Sequence, residues 1–256
     1  RDLVMTLARC RADGTDDDSV LDALADPIVI DAALTEGGWF ARFVADRGWR
    51  PEVAAGFRLH SVNRNGRRRI RFPFVRGGQV IWWQDRALGE EEPKYQAPAG
   101  HRQQPYAMDV AGALESAEET GVAWVVEGLP DVLALAHLAD PGQVPAVIGV
   151  PGVDFAYFPA LAAALAGLTV ALVADADAAG ERLRHRAGQV LTDAGACVVH
   201  VEMPAGVHDI DDLRRRVGCR DDAAFLAALG EAYEAGLKGH SCPSCPSVGA
   251  RRSAAR

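Results

Sequence analysis

Five acidic residues stand where phosphate chemistry would place them. Glu127 follows the apolar run Val122 to Val126, Asp175 and Asp177 follow Thr169 to Ala174, and Asp209 and Asp211 come after Pro204. In an open parallel sheet, ligands gather beyond the carboxyl ends of the strands, so groups far apart in sequence converge there. Carboxylates brought together repel one another unless a cation lies between them. An oxygen-only donor set suits a hard divalent ion, magnesium or manganese. Such an ion bridges phosphate oxygens and offsets charge developing at a transferred phosphorus. Asp-x-Asp alone does not establish this, because acids after strands also serve as loop residues and helix caps.

The elements that must position these acids follow from the apolar pattern. Beyond Gly121 the chain alternates strand and helix: Val122 to Val126, Pro130 to Leu138, Ala146 to Val150, Phe155 to Leu165, Thr169 to Ala174, Gly180 to Ala194 and Cys197 to Val201. Continuous apolar strands separated by helices imply a mostly parallel sheet covered on both faces. Before this unit the signal is mixed. Helices are expected from Trp39 to Asp46 and from Glu52, opened by Pro51. Arg69 to Phe74 and Val80 to Trp83, joined through Gly77-Gly78, predict a hairpin, with Pro73 restricting its strand to an edge or an end. A last helix is expected over Ala223 to Ala235, followed by a disordered tail rich in Gly, Ser, Pro and Arg.

Net charge is −8, which by itself disfavours a nucleic-acid partner, but the charge is uneven. Between Ala41 and Arg76 there are ten arginines against Asp46 and Glu52. A local excess of that kind holds polyphosphate even on an acidic protein, although it also reads as a solvated face. The apolar stretch Ala156 to Ala174 is interrupted by Pro159, Gly167 and Thr169 and reads as helix then buried strand rather than a membrane span. Five cysteines form no even framework, which favours a reducing compartment, and Cys197 reads as plain core. The chain opens on Arg1 without a charged-then-apolar leader, so the expectation is a cytoplasmic fragment or processed product.

Glu127-Gly128-Leu129-Pro130-Asp131 after one buried strand, and Asp175-Ala176-Asp177-Ala178-Ala179-Gly180 after another, resemble the TOPRIM domain of primases, topoisomerases and some nucleases. The resemblance implies that Glu127 acts as general acid, base or ligand. It implies that Asp175 and Asp177 bind magnesium and that Asp131 is a supporting acid. Asp209-Ile210-Asp211-Asp212 is similar to the third acidic element of primases, with Ile210 where Pro is usual, so Asp209 and Asp211 are supporting metal ligands.

Upstream, Arg69 to Phe74, Gly78 to Ile81, Asp85 to Leu88 and Pro93 to Pro98 resemble, in order and spacing, the basic subdomain of DnaG-type primases of bacteria and phages. That likeness places Arg47, Arg86 and Lys94 on nucleotide- and DNA-binding positions. Asp85 stands where glycine is usual and is expected to offset Arg86. Trp82 and Trp83 are candidates for base stacking, with at least one of them in the core.

At the amino end, Cys10 with Arg11 and Gly14 resembles an eroded zinc-binding module from which four-coordinate zinc cannot be assembled. Cys242-Pro243-Ser244-Cys245 near His240 has ligand spacing but reads as an incidental tail.

The expected fold is therefore α/β: a Rossmann-like TOPRIM domain with helices on both faces of a mostly parallel sheet, plus an N-terminal basic α+β subdomain. The expected partition is a zinc-module remnant over 1–38, the basic subdomain over 39–118, TOPRIM over 119–217, a helix over 218–235 and a tail over 236–256. The implied activity is DNA primase-type nucleotidyl transfer during DNA replication, with single-stranded DNA and nucleoside triphosphates as partners and a replicative helicase beyond them. The alternatives are a TOPRIM nuclease or topoisomerase and an inactive nucleic-acid-binding fragment.

Overall fold

The computed structural model describes residues 39–239 except 65, 90–91, 99–102, 140–142, 152–155 and 219–220. The readings of the amino-terminal module, and those of His240, Cys242 and Cys245, lie outside the described residues.

Two short helices, α1 (Trp39–Asp46) and α2 (Pro51–Gly56), precede an antiparallel sheet of β1 (His60–Arg64), β2 (Arg67–Arg76), β3 (Gln79–Ala87) and β4 (Tyr95–Gln96), in that order. The β2–β3 turn is Gly77-Gly78, with φ of 56° and 78°. This is the left-handed pair that a two-residue hairpin loop requires. Asp109 accepts both turn amides at 3.0 and 2.7 Å, which anchors the hairpin to the following domain. Pro73 lies inside β2, central in strand order. The β1 ladder stops at the His60–Arg71 pair, so Pro73 has a strand neighbour on the β3 side only and is locally at an edge.

Side-chain alternation gives this sheet two different faces. Ile70, Phe72, Phe74 and Trp82 enter the main core, where Trp82 meets Phe74 edge-on at 4.6 Å. On the opposite face Asp85 is fully buried and accepts from Arg71 Nε and Nη2 at 2.7 and 3.0 Å and from Arg64 Nε at 3.2 Å. The Arg71 and Arg64 guanidinium groups lie 3.8 and 4.6 Å from the centre of the Trp83 ring. Both tryptophans are thus engaged internally, and Asp85 is turned away from Arg86 rather than offsetting it. The arginine-rich segment is likewise not one solvated surface, because Arg47, Arg50, Arg69 and Arg71 all bond within the protein.

The second sheet, β5 (Val122–Val126), β6 (Val147–Gly149), β7 (Thr169–Val173) and β8 (Cys197–Val201), is entirely parallel in the order β6-β5-β7-β8. Helices α3 (Val110–Thr120), α5 (Phe158–Ala164) and α6 (Ala178–Asp193) pack on the face carrying Ala123, Val125, Val170 and Leu172. Helices α4 (Leu129–Ala136), α7 (Ile210–Val217) and α8 (Asp222–Gly239) pack on the other, with Val126, Val173, Val199 and Val201, and that core continues into the first sheet. The α/β architecture with helices on both faces matches the expectation.

Helices α3 and α7 have no counterpart among the expected elements. The alanine-rich face of α3 gives weak contrast, and the acids at the start of α7 mask its helical period. Helix α8 runs to Gly239 rather than ending before Gly236. A Cβ on Gly236 would come within 2.3 Å of the His200 carbonyl oxygen, so glycine lets the helix lie close against β8. Cys197, expected as plain core, is half-buried and disulfide-bonded. Among the described residues no helix is long and apolar enough to cross a membrane.

His137, at the end of α4, ties that helix to Arg50 at the start of α2. Its Nδ1 donates to the Leu133 carbonyl at 2.7 Å, and its Nε2 accepts the Arg50 amide at 2.7 Å. This pattern, one ring nitrogen donating and the other accepting, fixes the neutral tautomer. Burial, reinforced by Arg214 and Arg50, lowers its pKa to about 4. Against the ordinary 6.5, the unfolded chain binds more protons in the window between the two values. Stability is therefore full above pH 6.5 and falls as pH drops toward 4, by about 3 kcal/mol at most. Urea unfolding at pH 7.5 and pH 5 should show this loss in the wild type and a flatter response in His137→Gln.

Candidate active site

The acidic groups meet because of where the parallel sheet changes direction. β5 comes first in the chain, with β6 paired on one side and β7 on the other, so a crevice opens past the carboxyl ends of β5 and β7. Val126 pairs with Val173, which sets Glu127 and Asp175 almost level. Glu127 Oε2 accepts the Asp175 amide at 3.2 Å. Burial raises the Glu127 pKa, with that hydrogen bond opposing and the Asp177 charge adding to it. Asp175 is pushed up to about 7 by burial and by the nearby Glu127 and Asp209 charges.

The turn into α6 depends on Gly180. A Cβ there would come within 2.1 Å of the Asp175 carbonyl oxygen, so only glycine permits this approach. Asp177 caps α6 through Oδ1, which accepts Ala179 and Gly180 amides at 2.8 Å each. Those bonds, Gly180 first, lower its pKa although the group is exposed. Asp209 caps α7 in the same way, Oδ1 accepting the Asp212 amide at 2.6 Å. Capping does not use up either group, because each cap takes one carboxylate oxygen and leaves the other.

Between the remaining oxygens sits His208. Its Nε2 is 4.0 Å from Asp177 Oδ2, and its Nδ1 is 3.5 Å from Asp209 Oδ2. Ligand atoms of Asp175, His208 and Asp209 all lie within 4.8 Å of one another, close enough for one metal ion. Sequence reasoning missed His208, whose one signal was its place directly before Asp209. Glu127 and Asp177 border this group.

Asp211 is placed otherwise than a ligand would be. Its buried carboxylate pairs with Arg47 and with Arg215 Nε at 3.3 Å, and accepts from Trp49 Nε1 at 3.3 Å. Asp131, also buried, accepts the Gly128 amide on Oδ2 at 3.2 Å and the Asp211 amide on Oδ1 at 2.9 Å. Burial, together with the Asp209 charge, raises its pKa well above the usual carboxylate range.

Of the three upstream cations, Arg47 is held by Asp211. Arg86 shares the core-facing side of β3 with its cross-strand neighbour Tyr95, and the charges of Arg47, Asp211 and Asp209 act on it. Its buried Nε and Nη1 have no hydrogen-bond partner among the described residues, and burial lowers its pKa. Lys94 is exposed, its Nζ 5.8 Å from the Tyr95 ring centre.

Residues 124–214 match the family described as Toprim-like. That stretch is a Toprim-like domain. No curated protein matches its sequence. The Aquifex aeolicus primase zinc-binding and RNA polymerase domains superpose with a TM-score of 0.63 at 20% identity, over 91% of this chain and 69% of that one. The E. coli primase catalytic core gives 0.56 at 22%, over 91% and 88%. A DnaG primase catalytic domain bound to single-stranded DNA gives 0.58 at 21%, over 93% and 87%. The fold is thus that of DnaG catalytic cores, the antiparallel subdomain included.

A divalent cation fits the donor set of this Toprim crevice, because Asp175 carries an unfavourable negative charge that a cation would relieve. Without a cation, stability contributed by protonated Asp175 is full below its ordinary 3.8 and is lost as pH rises through about 7. Asp175→Asn should therefore raise the melting temperature at pH 8 without divalent ions by roughly 2–4 °C, taking about 1 kcal/mol after discounting for screening. Added magnesium should stabilise the wild type further and leave the variant unmoved, as read by thermal unfolding.

Proposed function

We propose that the chain is a primase-type nucleotidyltransferase, a DNA-directed RNA polymerase that makes short RNA primers on single-stranded DNA. The observation that carries this reading is Arg86. A buried guanidinium with two unpartnered nitrogens, facing the acids of a Toprim crevice, is a poor structural ornament and a good triphosphate clamp. Arg47 beside it, oriented by Asp211, and exposed Lys94 extend a cationic path on which template and nucleotide phosphates can lie without sequence readout. The likeness to a catalytic domain solved with single-stranded DNA supports the same reading.

Asp175 and Asp209 would hold magnesium or manganese, with Glu127, Asp177 and His208 around them. When bound, that cation would supply neutralisation of charge at the α-phosphate. Glu127, made a better base by burial, would take the proton of the 3′-hydroxyl as that oxygen attacks the α-phosphate and pyrophosphate leaves. Asp177 keeps the start of α6 in place while its second oxygen stays available to the site. A replicative helicase as partner and a cytoplasmic location complete the proposal.

The test is primer synthesis from nucleoside triphosphates on single-stranded template with magnesium. Asp175→Ala and Asp177→Ala should each lower synthesis by roughly 10²-fold or more. Arg86→Ala should do so mainly through a raised nucleotide KM. Unchanged synthesis in both aspartate variants would overturn the site, and magnesium-dependent cleavage of template without nucleotides would replace polymerase by nuclease.

A further inference from the structure

We infer that His208 is a nitrogen ligand of the Toprim cation and biases the site toward manganese over magnesium. The inference rests on the cation site of the preceding section and concerns its selectivity. The imidazole faces three carboxylates: Asp209 through Nδ1, Asp177 through Nε2, and Asp175 within the same cation-sized group. Its position is imposed by the backbone. The His208 carbonyl accepts the Ala176 amide at 2.9 Å, stitching it to the residue between the paired aspartates. The His208 amide donates to Asp212 Oδ2 at 3.0 Å, from the first turn of α7. The ring is thereby held where the loops after β7 and β8 meet, although it is 53% exposed and no core packing demands an aromatic residue there.

The consequence is chemical. Magnesium takes oxygen donors and gives up its water reluctantly, whereas manganese, a transition metal, accepts a neutral imidazole beside carboxylates more readily. Two carboxylates with one imidazole place one fewer negative charge on the ion than three carboxylates would. An imidazole that serves only as a hydrogen-bonding neighbour of Asp209 and Asp177 would leave the site's metal preference that of an all-oxygen set.

The full chain, freed of divalent ions and loaded with manganese, can be read by pulsed electron paramagnetic resonance. Nitrogen hyperfine coupling to the ion is expected in the wild type, with the pattern changing when histidine is isotopically labelled, and is expected to vanish in His208→Asn. Calorimetric titration should show that variant binding manganese roughly tenfold more weakly and magnesium within about twofold of wild type. Manganese binding that is lost in Asp175→Ala but shows no nitrogen coupling in the wild type would overturn the role of His208 and leave the cation site standing. Manganese binding insensitive to Asp175→Ala would overturn the site and this inference together. The wild-type spectrum decides the matter even if a variant is misfolded.

Discussion

The buried Asp131 carboxylate holds the functional loops in one arrangement. One oxygen takes the amide of Gly128, in the turn after β5, and the other takes the amide of Asp211, at the start of α7. Asp211 passes the connection on to Arg47 and Trp49 of the basic subdomain. A hydrogen-bonded chain thus runs from the first acidic motif, through the third, to a cation on the opposite side of the crevice. Each link is buried or half-buried, where such bonds are electrostatically strong and costly to leave unmade. The glycine at 128 belongs to the same device, since a Cβ there would come within 2.5 Å of Asp131 Oδ2.

Around this chain, the carboxylates divide their work by oxygen atom rather than by residue. Asp177 and Asp209 each commit one oxygen to a helix cap, and the caps aim the second oxygens at His208. Asp175 has no cap to satisfy and bears the crowding of charge, visible in a pKa pushed up to about 7. Carboxylates assembled in this way sit on a stable scaffold in an unfavourable charge distribution, which a cation would relieve.

The opposite wall is built on a different principle. Arg71 and Asp85 form a buried bidentate pair with Arg64 and Trp83 on one face of the antiparallel sheet, while Arg86 lies on the other face with its nitrogens partly unpaired. Strand alternation alone separates Arg71, a structural arginine, from Arg86, which faces the crevice. Residues 85 and 86 therefore work on opposite sides of the sheet, although the sequence places them side by side.

The parallel α/β unit was legible in the amino-acid order, because its strands are continuous apolar runs, and so was the placing of Glu127, Asp175 and Asp177 at strand ends. The hairpin announced itself through Gly77-Gly78. Which carboxylates face one another was settled by packing in three dimensions. Asp209 joins Asp175 while Asp211, in the same short motif, turns to Arg47, because a helix start points successive side chains in different directions. Packing likewise settled that Asp85 opposes Arg71 instead of Arg86, that much of the arginine-rich segment is consumed internally, and that His208 lies among Asp175, Asp177 and Asp209. No local pattern marks a histidine whose position is set by a backbone hydrogen bond to a distant loop, at Ala176.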